Sequence, residues 1–382
     1  MTQAVNFDLP IDRGATDSIK WQKYAHRDII PMWVADMDFV SPPSVIQALH
    51  ERVEHGVFGY AAPKPTLART VIQYLKNAYN WSVEPDWIIW LPGLVSGINI
   101  SCRSVGTSES AILTTIPVYP PFLSAPKLAD RNLRTTCMVF MQNQWRIDFR
   151  NLENQKDDRT KLFLLCNPHN PTGRMFDKQE LLQLAEICLR NKWIICSDEI
   201  HCDLILESGR RHIPTASLDS DIGARTITLM APSKTYNIPG LGCAFAVISD
   251  DGLRRRFKQA MAGIVPHNNL LGLAAAEAAY THGQSWLQQL LAYLRNNRTL
   301  VQQSIQAMPG LSMGPIEATY LAWIDARAIG VEDPKAFFES AGVGLSDGVD
   351  FGAPGFVRLN FGCHQDLLRK ALDRMNSALN KQ

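Results

Sequence analysis

The sequence lacks several features that would place it in a specialised class of proteins. No apolar run approaches the roughly 20 residues that a membrane-spanning helix needs, so we expect no membrane role. The N-terminus shows no charged leader followed by an apolar core, so we expect no secretory signal peptide. The formal net charge is only +1 over 382 residues, which gives no reason to expect a nucleic-acid partner.

Paired cysteine motifs are also missing. The chain has eight cysteines but no Cys-x-x-Cys pair, so we expect neither a zinc ribbon nor a redox dithiol, and no metal site. Most of the cysteines lie inside apolar runs, as Cys166 does in Leu162–Cys166. We interpret them as reduced, mostly buried thiols of a cytoplasmic protein.

The pattern that is present is that of an α/β protein. Between about residues 86 and 250, short apolar strands alternate with helices, and the strands repeatedly end in polar or Gly/Pro-containing segments. This alternation predicts a three-layer large domain with a mostly parallel sheet between helices. The remainder predicts a smaller α+β domain built from both chain ends. We therefore expect a large domain over 42–285 and a small domain formed by 1–41 together with 286–382.

Three polar residues each follow the end of a predicted strand: Asn170, Asp198 and Lys234. Ligands of parallel sheets bind beyond the carboxyl ends of the strands, so these side chains are expected to meet in one crevice. Taken alone, Lys234 is more typical of a solvated loop lysine, because burying an unpaired ammonium is costly. Its interpretation therefore depends on its neighbours.

Together these residues suit the chemistry of pyridoxal 5′-phosphate (PLP). A lysine can form a Schiff base with the cofactor aldehyde, an aspartate can hold a protonated ring nitrogen, and an asparagine can donate to the ring oxygen. A flat side chain such as Tyr119 can stack on the ring. The Gly-containing turn at the helix start near Val95 and Ser96 can present backbone N–H groups to a phosphate.

The motifs resemble those of fold type I PLP enzymes, the aspartate aminotransferase superfamily, over essentially the whole chain. Asn167-Pro-His-Asn-Pro-Thr-Gly173 matches the Asn-Pro-x-Asn-Pro-Thr-Gly motif of that superfamily. Within it, the chain is most similar to the cystathionine β-lyase and cysteine C–S lyase branch, the type that includes the maltose-regulon modulator. That narrower resemblance rests on four segments: Lys20-Trp21, Pro31–Phe39, Asp198–His201 and Pro232–Asn237.

The resemblance implies a role for each of five side chains. Lys234 would carry the Schiff base and later act as the general base. Asp198 would bond the pyridine nitrogen and Asn170 the ring oxygen, while Tyr119 would stack on the ring. Arg358 would clamp the α-carboxylate of the substrate through a bidentate pair.

The resemblance also implies how the phosphate is bound. The backbone around Val95 and Ser96 would take it. Many aminotransferases carry an arginine eight residues after the lysine, but Gly242 holds that position here, so Ser233 becomes a candidate hydroxyl ligand. Tyr60 would reach the phosphate or the substrate of a partner subunit, which implies a homodimer with shared active sites.

Each of two further residues, His201 and Asp36, allows two interpretations of its role. His201 stands three residues after Asp198, where many aminotransferases have a tyrosine, and is either a cofactor contact or a structural histidine. Asp36 lies among apolar neighbours and either marks a turn at a strand end or forms part of the substrate pocket.

The implied activity is that of a PLP-dependent β-lyase. Such an enzyme would take the Cα proton of cystathionine or another cysteine S-conjugate through Lys234 and release a thiol, pyruvate and ammonia. The alternative is a PLP-dependent aminotransferase, which would use the same residues until that proton is lost. A third hypothesis is a binding or regulatory protein, although no separate DNA-binding segment supports it. The expected partners are a small amino-acid substrate and a second copy of the chain.

Overall fold

The structure is a computed structural model and describes residues 5–381. Residues 1–4 and 382, which we assigned to the small domain, lie outside the described residues. Within the described range, no helix combines the length and the apolar character that crossing a bilayer requires. All eight cysteines are free, and each of them except Cys137 is buried, as the sequence predicts.

The strands are arranged in three sheets. An eight-stranded sheet has the order β2-β9-β8-β7-β6-β3-β4-β5, a four-stranded sheet the order β10-β11-β14-β13, and β1 pairs with β12. Within the described residues the strands are β1 (Ile30–Pro31), β2 (Ile88–Leu91), β3 (Ala111–Ile116), β4 (Asn132–Met141), β5 (Gln144–Ile147), β6 (Thr160–Cys166), β7 (Ile194–Asp198), β8 (Thr226–Met230), β9 (Ala244–Val247), β10 (Ser312–Met313), β11 (Leu321–Asp325), β12 (Val343–Gly344), β13 (Ser346–Asp347) and β14 (Phe356–Asn360).

The large sheet is mostly parallel, as predicted. Strands β4, β3, β6, β7 and β8 pair in parallel, whereas β5 and β9 run antiparallel to their neighbours. The inner strands are almost entirely buried because helices cover both of their faces, and every residue of β8 is buried.

Helices form the outer layers. Within the described residues they are α1 (Ile19–Gln22), α2 (Pro43–Glu54), α3 (Pro65–Tyr79), α4 (Leu94–Ser104), α5 (Pro121–Leu128), α6 (Phe149–Asn154), α7 (Lys178–Arg190), α8 (Ser220–Ala224), α9 (Asp251–Met261), α10 (Leu270–His282), α11 (Gln284–Ala307), α12 (Pro334–Ser340) and α13 (Gln365–Leu379). One core cluster joins the sheet to α4, α5 and α9 through Ile98, Phe122 and Phe257. A second joins it to α6 and α7 through Leu152 and Leu184, which confirms the three-layer architecture.

The smaller sheet is antiparallel and packs with residues from both ends of the chain. Its core cluster contains Met32 and Phe39 from the N-terminal segment together with Leu372 and Met375 of α13. The parallel pairing of Ile30–Pro31 with β12 also joins the two ends. These contacts support our proposal that 1–41 and 286–382 form one small domain beside a large domain of 42–285.

Candidate active site

The parallel register of the large sheet brings the predicted site residues to one edge. Cys166 at the end of β6 pairs with Asp198 at the end of β7, and Asp198 pairs with Leu229 near the end of β8. Asn170 follows β6 and Lys234 follows β8, so both emerge on the same side as Asp198. The register therefore brings the strand ends that carry these three residues to one edge of the sheet, where ligands of parallel sheets bind.

The lysine lies in a setting that weakens its basicity. The Lys234 Nζ donates a hydrogen bond to the carbonyl oxygen of Ala35. Burial lowers the pKa of Lys234 to about 8, and the positive charge of Arg358 lowers it further, while the carboxylates of Asp36 and Asp198 oppose that shift. An amine with this pKa loses its proton close to neutral pH, as a nucleophile and general base must.

Asp198 is a buried carboxyl group without a strong partner. It is 3% exposed, and its Oδ1 accepts a hydrogen bond from the Ile200 N–H at 3.1 Å. Burial raises the pKa of Asp198 to about 7, and the neighbouring charge of Glu199 adds to the shift. No cation lies within ion-pair distance of Asp198 in the described part of the chain. Such a carboxyl suits a partner that brings its own positive charge, such as a protonated ring nitrogen.

Glu199 points away from Asp198, as expected for neighbours on an extended chain. It accepts hydrogen bonds from the Ser197 hydroxyl and the Thr215 N–H, and its other oxygen lies 2.7 Å from His212 Nε2. The two adjacent carboxylates therefore do not form an acid/base pair.

Arg358 is a buried cation on β14 whose guanidinium is oriented by neutral groups. Its Nη1 donates to Asn170 Oδ1 at 2.9 Å, and its Nη2 donates to the Trp33 carbonyl at 2.7 Å and to Ser346 Oγ at 3.2 Å. The guanidinium also lies over the Phe351 ring, 4.8 Å from its centroid. Burial lowers the pKa of Arg358 to about 10, and its Nε has no hydrogen-bond partner among the described residues. A guanidinium held in this way suits a bidentate pair with a carboxylate.

The start of α4 provides free backbone donors. The helix begins at Leu94 after an extended Gly93, and no side chain caps its first turn. Val95 is half-exposed, Ser96 lies beside it, and the space next to Gly93 is open. Uncapped N–H groups at a helix N-terminus bind phosphate well.

Gly242 has a structural reason for replacing the arginine that many aminotransferases carry. Its φ is +58°, a left-handed conformation that disfavours side chains, and a Cβ atom there would lie 3.2 Å from the carbonyl oxygen of Pro92. Ser233 remains half-buried next to Lys234 and stays a predicted phosphate ligand.

Two of the candidate site residues carry rings, Tyr119 and His201. Burial raises the pKa of Tyr119, and the charge of Asp198 raises it further, so its phenol is neutral. Burial, together with the charges of Lys234 and Arg358, lowers the pKa of His201 to about 3, so its ring is neutral as well. The His201 ring stands edge-on to Tyr320 with 5.9 Å between centroids, and its Nδ1 has no partner within the described chain. A structural role and a cofactor contact both remain predictions for His201.

The N-terminal segment supplies a charged cluster beside the site. Arg13 bonds Asp36 at 2.7 Å and Asp38 at 2.6 Å, and the fully buried Lys20 pairs with Asp38 at 2.7 Å. One oxygen of Asp36 is buried without a hydrogen-bond partner in the described residues. Its role as a substrate contact stays a prediction. Tyr60 is fully exposed, so within a single chain nothing covers its ring.

Several residues of the site were not identified from the sequence. The Tyr320 hydroxyl donates at 2.8 Å to the carbonyl of Ala35 that also accepts from Lys234. Trp33 and Ser346 orient Arg358 through their oxygen atoms. No local motif marks Tyr320 or Ser346. Trp33 lies within the Pro31–Phe39 motif, but it acts through its backbone carbonyl, whose role comes only from tertiary contacts.

Comparison with known proteins identifies the family. The family model for aminotransferase class I and II matches residues 27–375. The chain belongs to that family. The predicted resemblance to fold type I PLP enzymes is therefore confirmed.

Three relatives narrow the resemblance. Cystathionine β-lyase PatB of Bacillus subtilis (strain 168) is 35% identical over 391 residues, covering 98% of this chain and all of the relative. The crystal structure of OvoB matches with a TM-score of 0.97 and 46% identity, over 99% of this chain and 100% of that one. Cystalysin from Treponema denticola, whose crystal structure contains PLP, matches with a TM-score of 0.94 and 32% identity, over 99% of this chain and 100% of that one.

The residues of this chain fit PLP. Asp198 is a buried carboxyl that lacks a cation, the amine of Lys234 has a lowered pKa, and the first turn of α4 is uncapped. These groups match the ring nitrogen, the aldehyde and the phosphate of the cofactor respectively. The protein is thus a PLP-dependent enzyme of the aminotransferase class I and II family, similar to C–S lyases.

Proposed function

We propose that this enzyme is a C–S β-lyase that cleaves cystathionine or related cysteine S-conjugates to a thiol, pyruvate and ammonia. The observation that carries the proposal is the position of the Pro31–Phe39 segment, which resembles the lyase branch. Its Ala35 carbonyl accepts from Lys234, and its Trp33 carbonyl accepts from Arg358. The segment typical of the branch therefore contacts both the reactive amine and the carboxylate clamp. The names of PatB and of the relative from Corynebacterium glutamicum also support this activity.

Arg358 would bind the α-carboxylate of the substrate in its buried, oriented fork. The hydrogen-bond partners of its guanidinium are Asn170, the Trp33 carbonyl and Ser346, which are all neutral. The substrate carboxylate would therefore be the first anion to pair with Arg358. This pairing would place the Cα of the substrate near Lys234, whose lowered pKa favours a neutral amine that can accept the Cα proton.

PLP, when bound, supplies a conjugated ring that accepts the electron pair left at Cα. Asp198 would hold a proton at the ring nitrogen, since its raised pKa reflects a site that favours a charged partner. After Lys234 takes the Cα proton, the Cβ–S bond would break as a Cα–Cβ double bond forms, and the sulfur would leave as thiolate. Water hydrolyses the remaining unsaturated amine to pyruvate and ammonia.

The decisive experiment is incubation of the purified enzyme with L-cystathionine, without added keto acid, while pyruvate and free thiol are assayed. We expect both products to appear in equal amounts. Amino transfer that depends on an added keto acid, without pyruvate, would instead establish the alternative aminotransferase activity. Lys234→Ala should abolish either reaction, whereas Lys258→Ala on the exposed face of α9 should retain it.

We also propose that two chains form a homodimer with shared active sites. Tyr60 and its neighbours Val57 and Phe58 are exposed, which is unusual for a run of large apolar side chains in a folded monomer. Sedimentation analysis should show a dimer. Mixing inactive Tyr60→Ala chains with inactive Lys234→Ala chains should restore part of the activity if Tyr60 serves the site of its partner.

We retain the cytoplasm as the predicted location, because all eight cysteines are unpaired.

A further inference from the structure

Asp203 is a carboxylate that collects three hydroxyl donors just behind the active site. Its Oδ1 accepts hydrogen bonds from the Tyr74 hydroxyl at 2.6 Å and from the Tyr79 hydroxyl. Its Oδ2 accepts from the Thr235 hydroxyl at 2.8 Å. The reaction proposed above assigns no role to any of these four residues, so the arrangement requires its own explanation.

The network joins the turn that bears the reactive lysine to a helix that is far away in sequence. Tyr74 and Tyr79 lie on the last turns of α3, and Asp203 lies in the loop after β7. Thr235 directly follows Lys234 and is completely buried. The carboxylate therefore connects α3, the β7 loop and the lysine turn at a single point.

The lysine turn depends on such side-chain contacts. After β8 ends at Met230, the chain forms no regular element until the short 3-10 helix Pro239–Leu241. Three residues after Lys234, the Asn237 side chain fixes the turn by donating hydrogen bonds to the carbonyls of Met37 and Phe39. Thr235 with Asp203 is the corresponding anchor next to the lysine itself.

The Asp203 carboxylate is held by hydrogen bonds rather than by an ion pair. No ion pair involves Asp203 in the part of the chain that the structure describes, so three neutral hydroxyls solvate its charge. Burial and the charge of Asp203 raise the pKa values of Tyr74 and Tyr79 well above the usual range, which keeps both phenols as donors. The charges that act on Lys234 are instead those of Asp36, Arg358 and Asp198.

We propose that Asp203 is a positioning residue that, through Thr235, holds the amine of Lys234 in its partly buried position beyond the end of β8. The proposal rests on the assignment of Lys234 as the reactive amine, but not on the fate of the substrate. If the turn loosens, water reaches the amine, and the burial that lowers the pKa of Lys234 is partly lost.

The test compares Thr235→Val, which removes only the hydroxyl, with Thr235→Ser, which retains it. Thr228→Val is the matched control, because Thr228 is a completely buried threonine on β8 whose hydroxyl has no partner among the described residues. The readout is the pKa of Lys234 in the full-length, cofactor-free chain. It is obtained from the pH dependence of acetylation by acetic anhydride, followed by mass spectrometry of the peptide that contains Lys234.

Thr235→Val should raise the pKa of Lys234 by about one unit, because the loosened turn admits water and part of the burial that lowers this pKa is lost. Thr235→Ser and Thr228→Val should leave that pKa within 0.3 units of the wild type, a margin of about 0.4 kcal/mol. A Thr235→Val chain that melts earlier but keeps the pKa of Lys234 unchanged would overturn the proposal, since Asp203 would then only stabilise the fold.

A second variant tests the same role of Asp203 if Thr235→Val does not fold. Tyr74→Phe removes a donor on the opposite side of Asp203, and it should shift the pKa of Lys234 in the same direction by a smaller amount. An unchanged pKa would again refute the positioning role. Because these measurements use no cofactor and no substrate, their outcome does not depend on whether the enzyme is a lyase or an aminotransferase.

Discussion

The Arg358 guanidinium donates a hydrogen bond to the Asn170 side-chain oxygen at 2.9 Å, although the two residues are 188 positions apart. Asn170 follows a strand of the large sheet, whereas Arg358 lies on β14 of the small one. The contact therefore couples the predicted ligand of the cofactor ring to the predicted clamp of the substrate. Neither residue can be moved without disturbing the other, so we expect a change at one of them to alter the position of the other.

Arg358→Lys should weaken catalysis although it retains the charge. An ammonium cannot reproduce the planar fork that bonds Asn170, Trp33 and a substrate carboxylate together. Losing one partner of a buried, hydrogen-bonded charge pair costs at least about 2 kcal/mol, so kcat/KM for L-cystathionine should fall at least about 30-fold. KM should account for most of the loss, as measured in steady-state assays.

The matched control for that variant is Arg327→Lys, in which the arginine is exposed and pairs with Asp325 on the surface. This control should retain kcat/KM. Normal activity in Arg358→Lys would show that the carboxylate is bound elsewhere.

Asp198→Asn should stabilise the cofactor-free protein while it abolishes activity. Burial raises the pKa of Asp198 from 3.8 to about 7, so between about pH 4 and pH 7 the folded state keeps a proton that the unfolded chain has lost. The stability of the wild type therefore falls as pH rises from about 4 to 7, and the penalty is complete above that range. The amide has no proton to lose and avoids this penalty.

Urea unfolding at pH 5 and pH 8 measures that difference. The gain of Asp198→Asn over the wild type should be larger at pH 8 by about 2 kcal/mol, from the size of the pKa shift. Asp86→Asn, at an exposed position, should change the free energy of unfolding at neither pH. An equal gain at both pH values would mean that Asp198 titrates normally in the folded chain.

Gly242→Ala should destabilise the fold, whereas Gly240→Ala should not. Gly242 has a φ of +58° and lies against the Pro92 carbonyl, so a methyl group there is strained and costs about 1–2 kcal/mol. Around Gly240, two residues away, the space is open and the φ is not positive. The free energies of unfolding in urea should therefore separate the two variants by more than 1 kcal/mol. Equal stabilities would show that the turn relaxes.

The order of elements and the strand-end residues could be predicted from the sequence because they follow local patterns. Apolar runs give strands β6, β7 and β8, and the motifs that follow them mark Asn170 and Lys234. Other features depend on contacts that no local pattern encodes. The start of β11 at Leu321 is one example: before it, the Glu317 N–H bonds the Gly173 carbonyl and Thr319 adopts a φ of +72°.

The residues that support the site also could not be identified from the sequence. Tyr320 and Asp203 act through partners that are distant in the chain, and their residue types alone are compatible with many roles. Asp36 stands out in the sequence because its neighbours are apolar, but its pairing with Arg13, and that of Asp38 with Lys20, depend on the fold. Long-range pairing of charges is a property of the fold rather than of a motif.

Arg174→Met should be among the most destabilising substitutions in the chain. Arg174 follows the Asn167–Gly173 motif and is 2% exposed. Its guanidinium bonds both oxygens of Glu317, at 2.8 and 2.6 Å, and both oxygens of Glu180, at 2.8 and 2.6 Å. Removing the cation leaves two carboxylates facing each other in a poorly solvated place, which costs about 3–5 kcal/mol.

The second substitution Glu317→Gln should recover part of that loss, because it removes one of the two carboxylates, and Glu317 retains only a longer ion pair with Arg210 at 3.5 Å. The coupling between the two substitutions should reach at least about 1 kcal/mol in a double-mutant cycle measured by urea unfolding. Arg190→Met, which breaks an exposed ion pair with Glu153, should cost less than about 1 kcal/mol. Additive effects of Arg174→Met and Glu317→Gln would show that Glu180 and solvent, rather than Glu317, provide the main support for Arg174.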